Sequence, residues 1–364
     1  MSKFYSLKPI LEKDATYSMV IGERSNGKTY SVLEYGITRY CQNKGQLAIV
    51  RRWREDFTGQ LGQQMFGAFS NTGLIEKLTN GRFNNIYYWS SRWYLCHIDN
   101  EGKRDDKDEN PLAYGFAISS AEHYKSTSYP NITTVLFDEF ITPSNRPYIP
   151  DEFVLFTNVL STIIRQRNNV KIFMLGNTVN KYCPYFNEMG LKHIKEMEQG
   201  SIDVYTYGDS KLTVAVEYCA PTKKGKSSDK YFAFDNPKLR MITTGGWEID
   251  VYPHIPCKYK PKNVILHYYV NFDRQWLHCE IVSIDNNVFT FVHPKTTELS
   301  EKDANNVIIY SQAYDPRPNW RRKLTIPTDD IDQLIARFYK TDKVFFSDND
   351  TGDIMFNYLK WCIK

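Results

Sequence analysis

The chain has 364 residues, is 41% hydrophobic and 15% aromatic, and carries a formal net charge of +4. That length suits two domains with a sizeable core, and the aromatic content excludes a disordered tail. The mild basicity permits a nucleic-acid partner without demanding one, and the seven scattered cysteines, none spaced C-x-x-C, imply neither a zinc site nor a disulfide framework. No apolar run is long enough to span a membrane. Met1-Ser2-Lys3-Phe4-Tyr5 contains no signal-peptide core.

Tyr17-Ser18-Met19-Val20-Ile21 reads as a short apolar strand. Gly22-Glu23-Arg24-Ser25-Asn26-Gly27-Lys28-Thr29 follows and fits the phosphate-binding pattern G-x-x-x-x-G-K-[ST] at every fixed position. From Tyr30 a helix is predicted, with Val32, Leu33, Gly36, Ile37 and Tyr40 on one face. Strand, glycine-rich loop and helix are the context in which backbone N–H groups and a helix N-terminus converge on the phosphates of ATP. Lys28 is expected to reach the β- and γ-phosphates, and the Thr29 hydroxyl to bind Mg²⁺. Arg24 has two readings, a phosphate contact or a contact with a neighbouring subunit; Glu23 has none.

A second buried strand, Gln46–Val50, ends in Arg51-Arg52-Trp53-Arg54. Strand carboxyl ends face the ligand crevice in open α/β sheets, so these arginines are expected near the nucleotide edge or a subunit boundary. Residues 60–80 read as helical, anchored by Leu61, Met65, Phe69, Leu74, Ile75 and Leu78. Asn84 to Ile98 is strand-rich, and the mixed charges of 99–109 predict a solvated hairpin loop before a strand over Leu112–Ile118.

Thr133-Thr134-Val135-Leu136-Phe137-Asp138-Glu139 is an apolar strand ending in two acids, a Walker B signature. Asp138 is expected to hold Mg²⁺ opposite Thr29, either directly or through a bound water, and Glu139 to polarise the attacking water as general base. The adjacent pair favours ATPases with an additional catalytic glutamate. A helix within Tyr148–Val170, with Phe153, Phe156, Val159, Leu160, Ile163 and Ile164 inward, ends in Arg165-Gln166-Arg167. The strand Val170–Leu175 leads to Asn177, placed to sense the γ-phosphate or to shape the turn. Strands over Ile202–Tyr207 and Leu212–Tyr218 close this half.

Residues 221–255 are basic and polar at their start and read as a linker or lid. Beyond them lie strands over Val264–Phe272, Trp276–Ile284 and Val288–His293, then helices over Ile331–Tyr339 and Ile354–Trp361. A three-strand meander followed by helices suggests an RNase H-like core. Nucleases of that type need clustered carboxylates for two metals, the first on strand one, and Asn263–Val270 has none. Lys258, Lys260, Lys262, Arg317, Arg321, Arg322 and Lys323 have two readings, phosphate contacts or solvated faces. The expected organisation is an α/β P-loop NTPase core of the ASCE type with a parallel sheet over 1–220, the linker over 221–255, and a smaller α+β RNase H-like, vestigial nuclease domain over 256–364.

Four ordered blocks carry a more specific resemblance: Val20–Tyr30, Ile49–Trp53, Tyr129–Phe140 and Asn177–Phe186. Together they resemble the DNA-packaging ATPases of phi29-like tailed phages, from about residue 17 to 220. The resemblance implies a homo-oligomeric ring, a pentamer in that family, that docks on the portal of a procapsid and pumps double-stranded DNA inward with ATP and Mg²⁺. It implies an arginine acting in trans on the neighbour's ATP, which matches Arg165. It also matches Arg54 and Lys125 to basic residues that contact a neighbour or DNA. A packaging RNA is raised as a further partner, no membrane is involved, and the expected location is the host cytoplasm, transiently at the portal vertex and not in the mature virion. The competing readings are another P-loop DNA translocase or helicase, and a non-catalytic scaffold that binds nucleotide to assemble.

Overall fold

The computed structural model describes the chain except for residues 1–4, 71, 125–126, 143–147, 180–182, 195, 222–246, 248–251, 256 and 364. It divides into two compact units, Met1–Glu248 and Ile249–Lys364. Most of the stretch read as linker or lid lies outside the described residues.

The first unit is built on a ten-stranded sheet. Its strands are β1 (Tyr17–Gly22), β2 (Gln46–Arg51), β3 (Asn85–Trp89), β4 (Arg92–Ile98), β5 (Arg104–Lys107), β6 (Ala113–Ala117), β7 (Ile132–Asp138), β8 (Lys171–Asn177), β9 (Ile202–Tyr207) and β10 (Leu212–Tyr218). The spatial order is β3-β4-β6-β2-β7-β8-β1-β10-β9, with β5 on β4. From β6 to β10 neighbouring strands run parallel; β9, β3, β4 and β5 add antiparallel edges. Strands buried on both faces must be apolar almost throughout, and Met19, Val20 and Ile21 are all at most 1% exposed. Met19 and Ile21 face a core shared with Phe156, Val159 and Leu160 of the helix Glu152–Ile164. Val20 faces the opposite core, with Val32, Leu33 and Ile37 of the helix Lys28–Asn43. That helix comes so close to β2 that a Cβ on Gly36 would lie 2.1 Å from a Leu47 methyl.

Two local expectations fail. Residues 60–80 form short pieces, Gly59–Gln64, Gly67–Phe69 and Leu74–Leu78. The glycines break the run, and Gly73 adopts the left-handed conformation just before the last piece. The charged stretch 99–109 is not wholly a solvated loop. Arg104–Lys107 pairs with β4, and Asp108 is buried, accepting bonds from the Tyr40 hydroxyl at 3.0 Å and the Lys44 amine at 3.2 Å.

The second unit has a six-stranded sheet ordered β15-β14-β11-β12-β13-β16. Its members are β11 (Val264–Phe272), β12 (Gln275–Ile284), β13 (Asn287–Pro294), β14 (Ile309–Ser311), β15 (Trp320–Arg321) and β16 (Val344–Phe346). The first three form an antiparallel meander joined by two-residue turns, Asp273-Arg274 and Asp285-Asn286, all with positive φ. β14 adds parallel to β11 and β15 parallel to β14, which is the RNase H-like order. The helices Asp330–Lys340 and Asn349–Ile363 follow as expected. The arginines near β15 are engaged internally. Arg317 pairs with Asp315 at 2.7 Å, Arg321 with Asp329 at 2.6 Å and also with Asp332, and Arg322 lies 3.9 Å from the centre of the Tyr314 ring. Among the described residues, no helix is long and apolar enough to cross a membrane.

Candidate nucleotide site

Parallel register brings four strand ends to one edge of the first sheet. Gly22 pairs with Asn177, Asp138 with Leu175, and Val50 with Phe137 just before Arg51. β8 lies between β1 and β7, so its tip separates the phosphate loop from the acidic pair. A cleft of about 390 Å³ opens there, lined by Arg24–Tyr30, Arg51, Asp138, Glu139 and Leu175–Asn177. Arg24–Thr29 of the expected phosphate loop, the expected metal ligands, Glu139 and Asn177 thus share one cleft, while Gly22 and Glu23 do not line it.

The loop owes its path to its small residues. Gly27 has φ of 95°, and a Cβ on Gly22 would stand 2.8 Å from that of Cys219. Ser25 also has positive φ. Tyr5 braces the loop from the N-terminal side. Its N–H donates to the Asn26 carbonyl at 2.8 Å, its carbonyl accepts from the Ser31 hydroxyl at 2.9 Å, and its own hydroxyl donates to Glu217 at 2.7 Å. The described helix begins at Lys28, not Tyr30, so Lys28 and Thr29 form its first turn and their N–H groups point out of the helix end.

Lys28 is buried. Its amine donates to the Glu23 carbonyl at 2.6 Å, to Asn26 Oδ1 at 3.2 Å and to Asn177 Oδ1 at 3.3 Å. Burial pulls its pKa down, while the Cys219, Asp138 and Glu23 groups oppose that shift. The Thr29 hydroxyl lies 3.2 and 3.4 Å from the two Asp138 carboxylate oxygens. A hydroxyl and a carboxylate at this separation are the hard oxygen donors that Mg²⁺ takes from protein, leaving its other positions to phosphate and water. The donor set therefore fits Mg²⁺. Burial pushes the Asp138 carboxyl up, and the Arg51 guanidinium pulls it back toward the ionised form.

Glu139 is exposed, with φ of 59°. The left-handed backbone turns the chain sharply after β7 and leaves Asp138 buried while Glu139 lines the cleft. Arg51, at the end of the neighbouring β2, holds both acids: one nitrogen is 2.7 Å from Asp138 Oδ2 and another 3.0 Å from Glu139 Oε2. Arg51 thus sets where the Glu139 carboxylate stands, a role that its mere place in a basic run does not assign.

Arg52 faces the other way, as alternation along a strand requires. It is buried, with nitrogens 2.7 Å from each oxygen of Glu152, and it donates to the Glu139 and Phe140 carbonyls at 3.2 and 3.1 Å. Glu152 also accepts from the Tyr185 hydroxyl at 3.0 Å. This network fixes the backbone that carries Glu139. Glu152→Ala would strand a buried guanidinium, so it is expected to cost about 3–5 kcal/mol of stability. Denaturant unfolding would measure it; a loss below about 1 kcal/mol would show that water replaces the carboxylate.

The other expected residues are more dispersed. Arg54 is exposed in the short turn Arg54–Phe57 after β2. Lys125 lies outside the described residues. Arg165 is exposed at the end of Glu152–Ile164, has φ of 50°, and donates to the Thr127 carbonyl at 3.1 Å. That helix leaves the carboxyl end of β7 and returns the chain to the amino end of β8, so Arg165 lies at the sheet edge remote from the cleft. It is not among the residues that line its own cleft. Arg167 next to it is committed to backbone carbonyls, including those of Pro130 at 2.8 Å and Tyr129 at 3.1 Å.

The model of the podovirus DNA encapsidation protein (Gp16) family matches residues 97–215. The DNA packaging proteins of Bacillus phages PZA and phi29 are each 29% identical over 186 residues, 51% of this chain and 49% of theirs. That of Bacillus phage B103 is 28% identical over 183 residues. The chain spans about half the length of the curated relatives it matches. Among solved structures, the bacteriophage Phi-29 viral genome packaging motor assembly has a TM-score of 0.59 at 20% identity, covering 99% of both chains. The Phi-28 gp11 DNA packaging motor has a TM-score of 0.55 at 20% identity, covering 100% of this chain and 97% of its own. The resemblance read from the four sequence blocks is borne out, and the fold is that of these packaging motors.

Proposed function

We propose that this chain is the ATPase of a viral genome-packaging motor. It hydrolyses ATP within a homo-oligomeric ring, a pentamer as the family resemblance in the sequence implies, and drives double-stranded DNA through a portal into a procapsid. The observation that carries the reading is the contact of Thr29 with Asp138 in a cleft that also holds Lys28, Glu139 and Asn177. The similarity to phage DNA packaging proteins supports the coupling of that site to DNA.

In this reading the N–H groups of Gly22–Thr29 bind the triphosphate, and Lys28 leaves its carbonyl partners for the β- and γ-phosphates. Thr29 and Asp138 would hold Mg²⁺, which would supply positive charge against the triphosphate. Glu139 turns from Arg51 toward a water in line with the γ-phosphate and accepts its proton. Asn177, bonded to Lys28, registers whether the γ-phosphate is present. Arg54 and Lys125 contact DNA or a neighbouring subunit. The second unit contacts nucleic acid or the portal and does not cut: β11 contains no Asp or Glu, whereas two-metal nucleases hold their ions with carboxylates.

DNA-stimulated ATP hydrolysis that requires procapsids tests the proposal. The stimulation should fall steeply with salt, because a pump that reads no sequence grips phosphates. Equal hydrolysis with and without procapsid and DNA, or strand separation in a displacement assay, would overturn it.

A further inference from the structure

The antiparallel register of β12 and β13 sets His278 directly opposite His293. Glu280, two residues along β12, stands on the same face. The His278 and His293 rings are 4.8 Å apart between centroids, and His293 Nε2 is 3.5 Å from Glu280 Oε2. One potential ligand atom from each of the three lies within 4.8 Å of the others. The helix Asp330–Lys340 packs on the opposite face, where the Tyr339 hydroxyl meets that of Tyr268 at 2.8 Å.

Local bonds orient this group but do not satisfy it. The Tyr259 hydroxyl donates to Glu280. His293 Nδ1 lies 3.3 Å from the Pro294 carbonyl, and Nε2, when it carries a proton, donates to the Glu280 carboxylate. These bonds do nothing for His278, whose Nε2 is buried without a hydrogen-bond partner. Buried polar atoms are nearly always paired, and an exception calls for an explanation such as an ion.

We propose that His278, Glu280 and His293 form a binding site for a zinc-class divalent cation on the face of the C-terminal sheet opposite Tyr268 and Tyr339. Two imidazole nitrogens and one carboxylate oxygen suit Zn²⁺, Co²⁺ or Ni²⁺ and not Mg²⁺, which takes oxygen ligands. The site therefore differs in kind from the Mg²⁺ site of the phosphate loop. The ion joins β12 to β13 and leaves a coordination position open. Scattered cysteines pointed away from zinc; the signal lay in His278-x-Glu280 and a histidine that only strand register brings alongside.

The test uses the full chain without an affinity tag, in a Cys257→Ser background because Cys257 is an exposed thiol. After chelator treatment, calorimetric titration with Zn²⁺ should show one ion per chain, and Zn²⁺ should raise the unfolding temperature. Co²⁺ should give visible bands of nitrogen and oxygen ligation without thiolate charge transfer. His293→Ala and Glu280→Gln should each weaken Zn²⁺ at least about tenfold and abolish the thermal shift. The circular dichroism spectrum and the metal-free unfolding temperature of these variants should match the parent's, which reports that the second unit remains folded. Absence of Zn²⁺ binding by the parent, binding undiminished in both variants, or thiolate bands with Co²⁺ would each overturn the site.

Discussion

Glu139→Gln should bind ATP as the parent does and lose roughly 10²–10⁴-fold in hydrolysis, the usual worth of a positioned general base. The substitution keeps the size of the side chain and its ability to accept from Arg51, now 3.0 Å away. It removes only the basicity that takes a proton from water. Ion pairing at the neighbouring Asp138, 2.7 Å from Arg51, is untouched. Affinity for a fluorescent ATP analogue and single-turnover hydrolysis separate the two effects. Parent-like turnover would mean that Glu139 is not the base. Loss of nucleotide binding as well would mean that the acid is needed to shape the cleft, with Arg51 holding both acids as one unit.

How much of this was legible depended on how local the cause was. The phosphate loop was readable because Gly22, Gly27 and Lys28-Thr29 act through backbone geometry within one strand–loop–helix unit. The acidic strand was readable because the apolar run Val135–Phe137 ends abruptly in Asp138-Glu139; that Asp138 and Thr29 meet across the intervening β8 needed the sheet order. Arg51 and Arg52 looked alike in sequence. Alternation alone sends Arg52 to the side of Ala48 and Val50, whose core includes Phe156 and Tyr185, but its partner Glu152 is 100 positions away. Short parallel strands such as β14–β16 were missed because two or three residues cannot show a period. For Arg51, Arg52 and the Thr29–Asp138 contact, the missing information is a partner fixed by tertiary register and not by neighbours in the chain.

Register also decides what Arg165 can do. The strand-to-strand path puts it at the edge remote from its own cleft, exposed, while Arg167 is tied to carbonyls. An arginine so placed can complete a catalytic site only on another subunit. Arg165→Ala should therefore fold, bind ATP and lose roughly 10³–10⁵-fold in hydrolysis by the assembled ring, the range for arginine fingers. The sharper result concerns mixtures. Arg165→Ala subunits keep an intact acid pair, and Glu139→Gln subunits keep an intact arginine. Each ring alone should be inactive, yet mixed rings should regain part of the activity. Recovery arises wherever an Arg165→Ala cleft is completed by the arginine of a Glu139→Gln neighbour. Activity that stays absent at every mixing ratio, with ring assembly verified by mass photometry, would rule out action in trans. Full activity of Arg165→Ala alone would remove the residue from catalysis altogether. Partial recovery would make the subunit boundary part of the catalytic site, so that one subunit's hydrolysis depends on how its neighbour is seated.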